Sequence, residues 1–188
     1  MTNAPLNRDE LVSLLREVGA ILVERGVEAT IYVVGGAAMA LQFDARRTTR
    51  DVDASIRSGR DDLADAVALV AHRHGLAPDW LNARASAFLP NEPDADAIEL
   101  TLPGLRMAVA SPEHLIALKL RALRDRDVDD LEVLFRHVGI THPQQAVDIH
   151  DKLFDDSYIG SLDPDEALYA AQLVFDRAAA RGRPLDRR

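Results

Sequence analysis

The sequence contains no cysteine among its 188 residues. Disulfide bonds, thiolate nucleophiles and cysteine-ligated zinc are therefore excluded, and any metal must be bound by oxygen or imidazole ligands. The six histidines show no zinc-ligand spacing and are expected to be exposed or hydrogen-bonded side chains. The phosphate-binding patterns GxxxxGK and GxGxxG are missing too, so these two glycine-rich loops are excluded as nucleotide sites.

Long apolar runs are also lacking. No run approaches the ~18 residues that a membrane span needs, and the segment MTNAPLNRDE lacks the basic and then apolar pattern of a signal peptide. We therefore expect a cytoplasmic protein with no membrane partner. The length suits one domain, or one domain with a short helical addition.

Basic residues are in the minority, since 31 Asp and Glu stand against 22 Lys and Arg, a formal net charge of −9. Such a chain has no general attraction for polyanions. Its arginines nevertheless form two clusters, of which the first can meet phosphates locally and the second is expected to be a solvated end. The 46–60 arginine cluster is Arg46, Arg47, Arg50, Arg57 and Arg60, and the C-terminal arginine cluster is Arg181, Arg183, Arg187 and Arg188.

The first part of the chain predicts alternating helices and strands. A capping-box pattern at Asn7 and Glu10 begins an apolar helix, and a β-branched run over residues 30–34 predicts a strand. A turn at Gly35-Gly36 then leads into a short helix. Residues 51–56 alternate between polar and apolar, which predicts a strand with one wet face.

The remaining chain predicts a helix over residues 61–74, two strands at 97–102 and 106–110, and then only helices. We therefore predict an α+β fold: a core of residues 1–110 with a mixed or antiparallel sheet, and a helical C-terminal part of residues 111–188 packed on that core. The lone Trp80 is interpreted as a core anchor and is left out of the site.

Two short features carry the chemistry. Glycines at Gly35-Gly36 allow backbone amides at a helix start to approach a phosphate, although a tight turn without a ligand is the commoner interpretation. Asp51 and Asp53 lie on one face of their strand, where they can share hard cations or simply be solvated. The Gly-Gly turn, the Asp-x-Asp and the arginines between them together favour a phosphate and metal site.

These features resemble the signature of the DNA polymerase beta-type nucleotidyltransferase superfamily. The wider pattern of GGAAMAL, TRDVDA and SPEHLIALKLRALRDRDVDDLEVL resembles bacterial nucleotidyltransferase-like proteins related to AbiEii and mycobacterial Men-type toxins. The resemblance implies a nucleotidyltransferase palm followed by a helical part, an NTP as cosubstrate, and Mg²⁺ or Mn²⁺. In the toxin branch it also implies nucleotide addition to tRNA 3′ ends and a possible cognate antitoxin protein.

The resemblance assigns roles to individual residues. Gly35 and Gly36 would cradle the triphosphate, and Asp51 and Asp53 would bind the metal ions. Arg47 and Thr49 are assigned to nucleotide binding as well, although Thr49 can also be an ordinary loop threonine.

Further along the chain, the resemblance implies that Lys119 reaches the nucleotide phosphates and that Asp127 or Asp130 supports catalysis. Lys119 can instead be a surface lysine with its stem on an apolar helix face, and Asp127 can be a helix cap. These alternatives stay open in the sequence.

The chain departs from the family pattern at two places. Gly36 stands where many relatives have Ser, so backbone contacts would have to hold the phosphates. A third carboxylate, carried by many members on a later strand, is assigned to Glu99 as a candidate metal ligand, with a surface strand glutamate as the equal alternative.

The leading hypothesis is therefore a metal-dependent nucleotidyltransferase that moves an NMP from an NTP to an acceptor hydroxyl, with the 3′ end of tRNA as acceptor, as the toxin of a toxin–antitoxin pair. One alternative is nucleotidylation of a small molecule or a protein. The other is a catalytically degenerate binding or regulatory module.

Overall fold

A computed structural model describes residues 4–43, 48–90, 92–122, 124–154 and 162–186. The chain divides into two compact units. The first unit comprises residues 1–88 and 96–110, and the second unit comprises residues 89–95 and 111–188. The predicted packing of the helical part on the core stays a prediction.

The first unit is built on a five-stranded sheet with the strand order β3-β2-β1-β5-β4. The β1–β2 and β4–β5 pairs are antiparallel, and the β1–β5 and β2–β3 pairs are parallel. The sheet is therefore mixed, and the predicted α+β fold class is confirmed. The strands are β1 Ala29–Val33, β2 Val52–Ser58, β3 Leu81–Asn82, β4 Ile98–Leu102 and β5 Leu105–Val109.

Three helices accompany this sheet, α1 Arg8–Glu24, α2 Gly35–Gln42 and α3 Arg60–His74, with a 3-10 turn at Arg84–Phe88. The capping box predicted for α1 is present, because the Asn7 side chain accepts from the backbone N–H of the third helical residue, whose carboxylate accepts from the Asn7 N–H. The capping signal thus starts α1 where the sequence places it.

Helices α1 and α3 are joined through Glu17. Its carboxylate accepts from Arg73 at 2.7 Å and lies 2.7 Å from the His74 ring nitrogen. The Arg73 hydrogen bond, followed by that of His74, holds the pKa of Glu17 below its ordinary value. A carboxyl with a lowered pKa stabilises the fold above the unfolded-state pKa, and this contribution is lost as the pH falls through the lowered pKa.

Strand β3 was not predicted from the sequence, because two residues are too few to show an alternation. It is held in place by Trp80, which is fully buried and donates from Nε1 to the Val67 carbonyl at 3.2 Å. The Trp80 carbonyl accepts from Val52 N–H at 2.6 Å, at the start of β2. The interpretation of Trp80 as a core anchor is therefore confirmed.

The second unit is helical in the parts that the structure describes. Ser111 caps the first of its helices by accepting from His114 N–H at 3.3 Å, and Gly139 ends the second in a left-handed conformation. Its helices are α4 Pro112–Ala122, α5 Asp125–Val138, α6 Pro143–Leu153 and α7 Pro164–Ala180. None of the helices in the described ranges is long and apolar enough to cross a membrane.

The described arginines of the C-terminal arginine cluster, Arg181 and Arg183, are exposed, as the sequence indicates, but they pair with a buried carboxylate. Glu132 on α5 is 5% exposed, and its carboxylate lies 3.3 Å from Arg181 and 3.4 Å from Arg183. Arg136 lies 3.2 Å from the same carboxylate. These ion pairs could not be predicted from the sequence, because the buried carboxylate belongs to a helix about 50 residues away along the chain. Arg187 and Arg188 lie outside the described residues.

We expect Glu132→Gln to lower the free energy of unfolding by about 2 kcal/mol, since it weakens charge-assisted hydrogen bonds to a buried group. In a protein of this size the melting temperature should fall by about 6 °C, measurable by circular dichroism. Asp129→Asn is the matched control, because Asp129 also contacts Arg181, at 2.8 Å, but its side chain is 50% exposed. Equal effects of the two variants would contradict this account.

Candidate active site

Asp53 lies on β2, and Asp51 directly precedes the strand at a bend. Val52 and Ala54 are fully buried on one face of β2, whereas Asp51 and Asp53 are half-buried. Because side chains alternate along a strand, the buried pair places Asp53 on the opposite, partly solvated face. The common face of Asp51 and Asp53, which the alternation in the sequence indicates, stays a prediction for Asp51.

The start of α2 lies beside Asp53. Val34 N–H, directly before α2, donates to the Asp53 carbonyl at 2.9 Å. Gly35 has a φ of +64°, a left-handed conformation that favours glycine, and a methyl group added there would lie 3.4 Å from Asp53 Oδ2. The first amides of a helix have no acceptor within the helix and attract anions. An anion-binding helix end and a carboxylate are thus adjacent.

The Asp53 carboxylate has no hydrogen-bond or ion-pair partner within the described residues. A half-buried carboxylate in that condition gains most from a cation, because burial disfavours an uncompensated charge. Carboxylate oxygens, here those of Asp53 with Asp51 two residues before it, are the ligands that suit Mg²⁺ or Mn²⁺. The residues present therefore fit a divalent ion.

Thr49 lies beside Gly36 and the backbone of Asp51. It is 8% exposed, and its hydroxyl donates to the Asp51 carbonyl at 2.8 Å. Backbone hydrogen bonds with Leu6 fix its position further. A methyl group added at Gly36 would lie 3.0 Å from the Thr49 hydroxyl oxygen. The absence of a side chain at Gly36 thus leaves room for the Thr49 hydroxyl, and a role of Thr49 in nucleotide binding stays a prediction.

The 46–60 arginine cluster is described only in part. Arg46 and Arg47, the latter predicted to bind nucleotide, lie outside the described residues. Arg50, Arg57 and Arg60 are exposed, and the Arg57 guanidinium stacks 5.0 Å from the centre of the Tyr32 ring.

Glu99 lies too far from Asp53 to bind the same ion. It is exposed on β4, and the strand order places β1 and β5 between β4 and β2. Three strand spacings amount to about 14 Å, whereas ligands of one ion lie within a few ångströms of it. The assignment of Glu99 as a third metal ligand is therefore corrected to a surface strand glutamate. Among the described residues, no three Asp, Glu or His side chains are grouped so that they can hold a metal.

Lys119, Asp127 and Asp130 meet in the second unit as a buried ion cluster, which we call the Lys119 triad. Lys119 Nζ lies 2.9 Å from Asp127 and 2.5 Å from Asp130, and all three residues are 5–6% exposed. The surface-lysine alternative is therefore wrong. The helix-cap alternative for Asp127 is confirmed as well, since its carboxylate accepts from Arg124 N–H at 3.1 Å.

The structure does not favour Asp127 or Asp130 as the aspartate that supports catalysis, because both carboxylates pair with Lys119. Lys119 on α4 pairs with two carboxylates on α5 and so joins these two helices, and loss of the cation would leave two buried carboxylates without their partner. Contact of Lys119 with nucleotide phosphates stays a prediction.

Sequence reasoning missed Asn82. Strand β3 pairs with β2 in parallel, and the register places Asn82 directly beside Asp53. No local signal in the sequence could have found this neighbour, because a two-residue strand has no period and its pairing is non-local.

Comparison with known proteins places these features in a family. The sequence model of the family described as "Nucleotidyltransferase of unknown function (DUF6036)" matches residues 9–142, which is more than half of the chain. Among solved structures, the chain is similar to an antigenic nucleotidyltransferase-like protein from Paracoccidioides brasiliensis. The identity is 18%, the match covers 89% of this chain and 95% of that chain, and the TM-score is 0.46. A comparison with curated proteins gives no significant match.

Proposed function

The chain belongs to this family of nucleotidyltransferases, and on that premise we propose that it moves an NMP from an NTP to an acceptor hydroxyl in a metal-dependent reaction. The observation that carries the proposal is the half-buried Asp53 carboxylate, which has no partner within the described residues and lies beside the first amides of α2. The carboxylate suits a cation, and the helix amides suit a phosphate.

Residues of the first unit would have separate roles in this reaction. Asp51 and Asp53 would hold Mg²⁺ or Mn²⁺, which when bound neutralises triphosphate charge and favours ionisation of an acceptor hydroxyl. Gly35 and Gly36 let the α2 amides approach the phosphates closely, since neither glycine carries a side chain. Thr49 fixes the backbone at Asp51 through its hydroxyl. Positioning and charge compensation are what this transfer needs from a protein.

For the acceptor we propose the 3′ end of tRNA, with the chain acting as the toxin of a toxin–antitoxin pair and a cognate antitoxin as partner. The support is the resemblance to Men-type toxins and the 46–60 arginine cluster, of which Arg50, Arg57 and Arg60 are exposed. A net charge of −9 does not prevent local contacts, because charges are screened beyond about 8 Å at physiological salt.

The test is incubation with each labelled NTP, Mn²⁺ or Mg²⁺, and purified tRNA. We expect label to appear on tRNA with one preferred base, and to be lost in EDTA. Label on a protein or a small molecule but not on tRNA would favour the alternative acceptors. No label on any acceptor would favour a degenerate binding module, for which the separation of Glu99 from Asp53 is the supporting observation.

Binding of tRNA tests the arginines separately. Replacing Arg46, Arg47 and Arg57 by Ala should weaken tRNA binding across sequences and lower the slope of log affinity against log salt by about 2, since each phosphate contact contributes about 0.7–0.9. NTP binding should change less. Arg16→Ala is the matched control, because Arg16 is an exposed arginine on α1 outside the cluster. An unchanged salt slope in the triple variant would contradict the assignment.

A further inference from the structure

Asn82 is the immediate neighbour of Asp53 in the sheet. The parallel register pairs Val52 with Leu81 and Asp53 with Asn82. Residues paired across neighbouring strands point to the same face, and the strands lie about 4.8 Å apart. Because Val52 and Leu81 are buried on one face, Asn82 and Asp53 share the opposite face. An amide therefore lies beside the candidate metal ligand.

The oxygen and the nitrogen of the Asn82 amide differ in their hydrogen bonding. Its Oδ1 accepts from Arg84 N–H at 3.0 Å, which fixes the orientation of the amide. Its Nδ2 is shielded from solvent and has no hydrogen-bond partner within the described residues. The side chain as a whole is 9% exposed. Burying a hydrogen-bond donor without an acceptor costs free energy. We therefore expect Nδ2 to have an acceptor in another state of the protein.

The donor character and the burial of Nδ2 indicate which group accepts its hydrogen bond. The group without a partner is Nδ2, which can only donate, so what it lacks is a hydrogen-bond acceptor and not a metal ion. Because Nδ2 is shielded from solvent, a neighbouring side chain reaches it more readily than a free ligand does. Asp53 is the neighbour in register, and its carboxylate has two oxygens and no partner within the described residues.

We propose that Asn82 is a positioning residue for Asp53, which acts by donating from Nδ2 to one carboxylate oxygen when the other oxygen binds a divalent cation. This inference rests on the proposed function, since it assumes that Asp53 binds the ion. Metal-binding carboxylates are commonly held by such hydrogen bonds, and losing the donor weakens metal binding by about 10–100-fold.

The experiment measures Mn²⁺ affinity by electron paramagnetic resonance of the free ion, with no NTP present. We expect Asn82→Ala to raise the Mn²⁺ dissociation constant at least about 10-fold. Asn82→Asp should weaken binding as well, because a carboxylate has no proton to donate at neutral pH and repels Asp53. Ser55→Ala is the matched control, since Ser55 lies on the same face of β2 two residues from Asp53, and it should bind Mn²⁺ like the parent protein. Thermal unfolding without metal checks that each variant is folded.

The outcomes separate the inference from the function on which it rests. If the parent protein binds Mn²⁺, Asp53→Asn does not, and folded Asn82→Ala binds like the parent, the inference is wrong while the metal site stands. Tighter binding by Asn82→Asp than by the parent would make residue 82 a direct ligand position and would also overturn the inference. If the parent protein does not bind Mn²⁺, the metal site fails and the inference fails with it.

Discussion

Asp53→Asn and Asp51→Asn should each abolish nucleotide transfer while leaving the protein folded. Each substitution removes a carboxylate proposed to hold the divalent ion, so the negative charge of the triphosphate is left without that cation. A loss of about 4 kcal/mol of transition-state stabilisation corresponds to about a 10³-fold lower rate. Rates with labelled NTP and the identified acceptor measure this directly, and excess EDTA should reproduce the loss in the parent protein.

The folded state of Asp53→Asn is expected to be intact, because the Asp53 side chain has no partner within the described residues. Its free energy of unfolding should change by less than about 0.5 kcal/mol. Asp96→Asn is the matched control for charge, since Asp96 is an exposed aspartate of the same unit. Full transfer activity in either the Asp51 or the Asp53 variant would remove the proposed mechanism.

Lys119→Ala should be the most destabilising single change among those considered. It leaves Asp127 and Asp130 buried without the cation that lies 2.9 and 2.5 Å from them. Removing one partner of a buried ion cluster costs about 3–5 kcal/mol, which lowers the melting temperature by about 10 °C in a protein of this size. The sequence prediction that this variant raises the NTP requirement or slows transfer is therefore measurable only where the variant remains folded.

The matched control is Lys152→Ala, because Lys152 is an exposed lysine on α6 in the same unit. It should change the free energy of unfolding by less than about 0.5 kcal/mol. A triple variant, Lys119→Met with Asp127→Asn and Asp130→Asn, removes all three charges and should recover part of the lost stability. If this variant is folded and transfers nucleotide normally, Lys119 does not contact phosphates and its role is structural.

Features that depend on a few consecutive residues could be predicted from the sequence. The capping box of α1 and the glycine turn into α2 are local, because the atoms that interact belong to neighbouring residues. The direction of Asp53 is local too, since the two-residue period of the strand sets it without reference to any partner. The α+β class followed from the order of such elements.

Features that depend on pairing across the chain were decided only by the tertiary structure. Nothing near Glu132 in sequence indicates Arg181 and Arg183, and nothing near Glu99 indicates that two strands separate it from Asp53. Long-range packing sets the order of strands in a sheet and the partner of a buried charge. Neither feature produces a periodic pattern in the sequence.

The sequence by itself determined the fold class, the start of α1 and the face of β2 that carries Asp53, because each follows from local spacing. The tertiary structure alone decided that Lys119 lies between two buried aspartates and that Asn82 lies beside Asp53. The physical reason is that burial and strand register are collective properties: a side chain acquires its partners only when distant segments of the chain pack together.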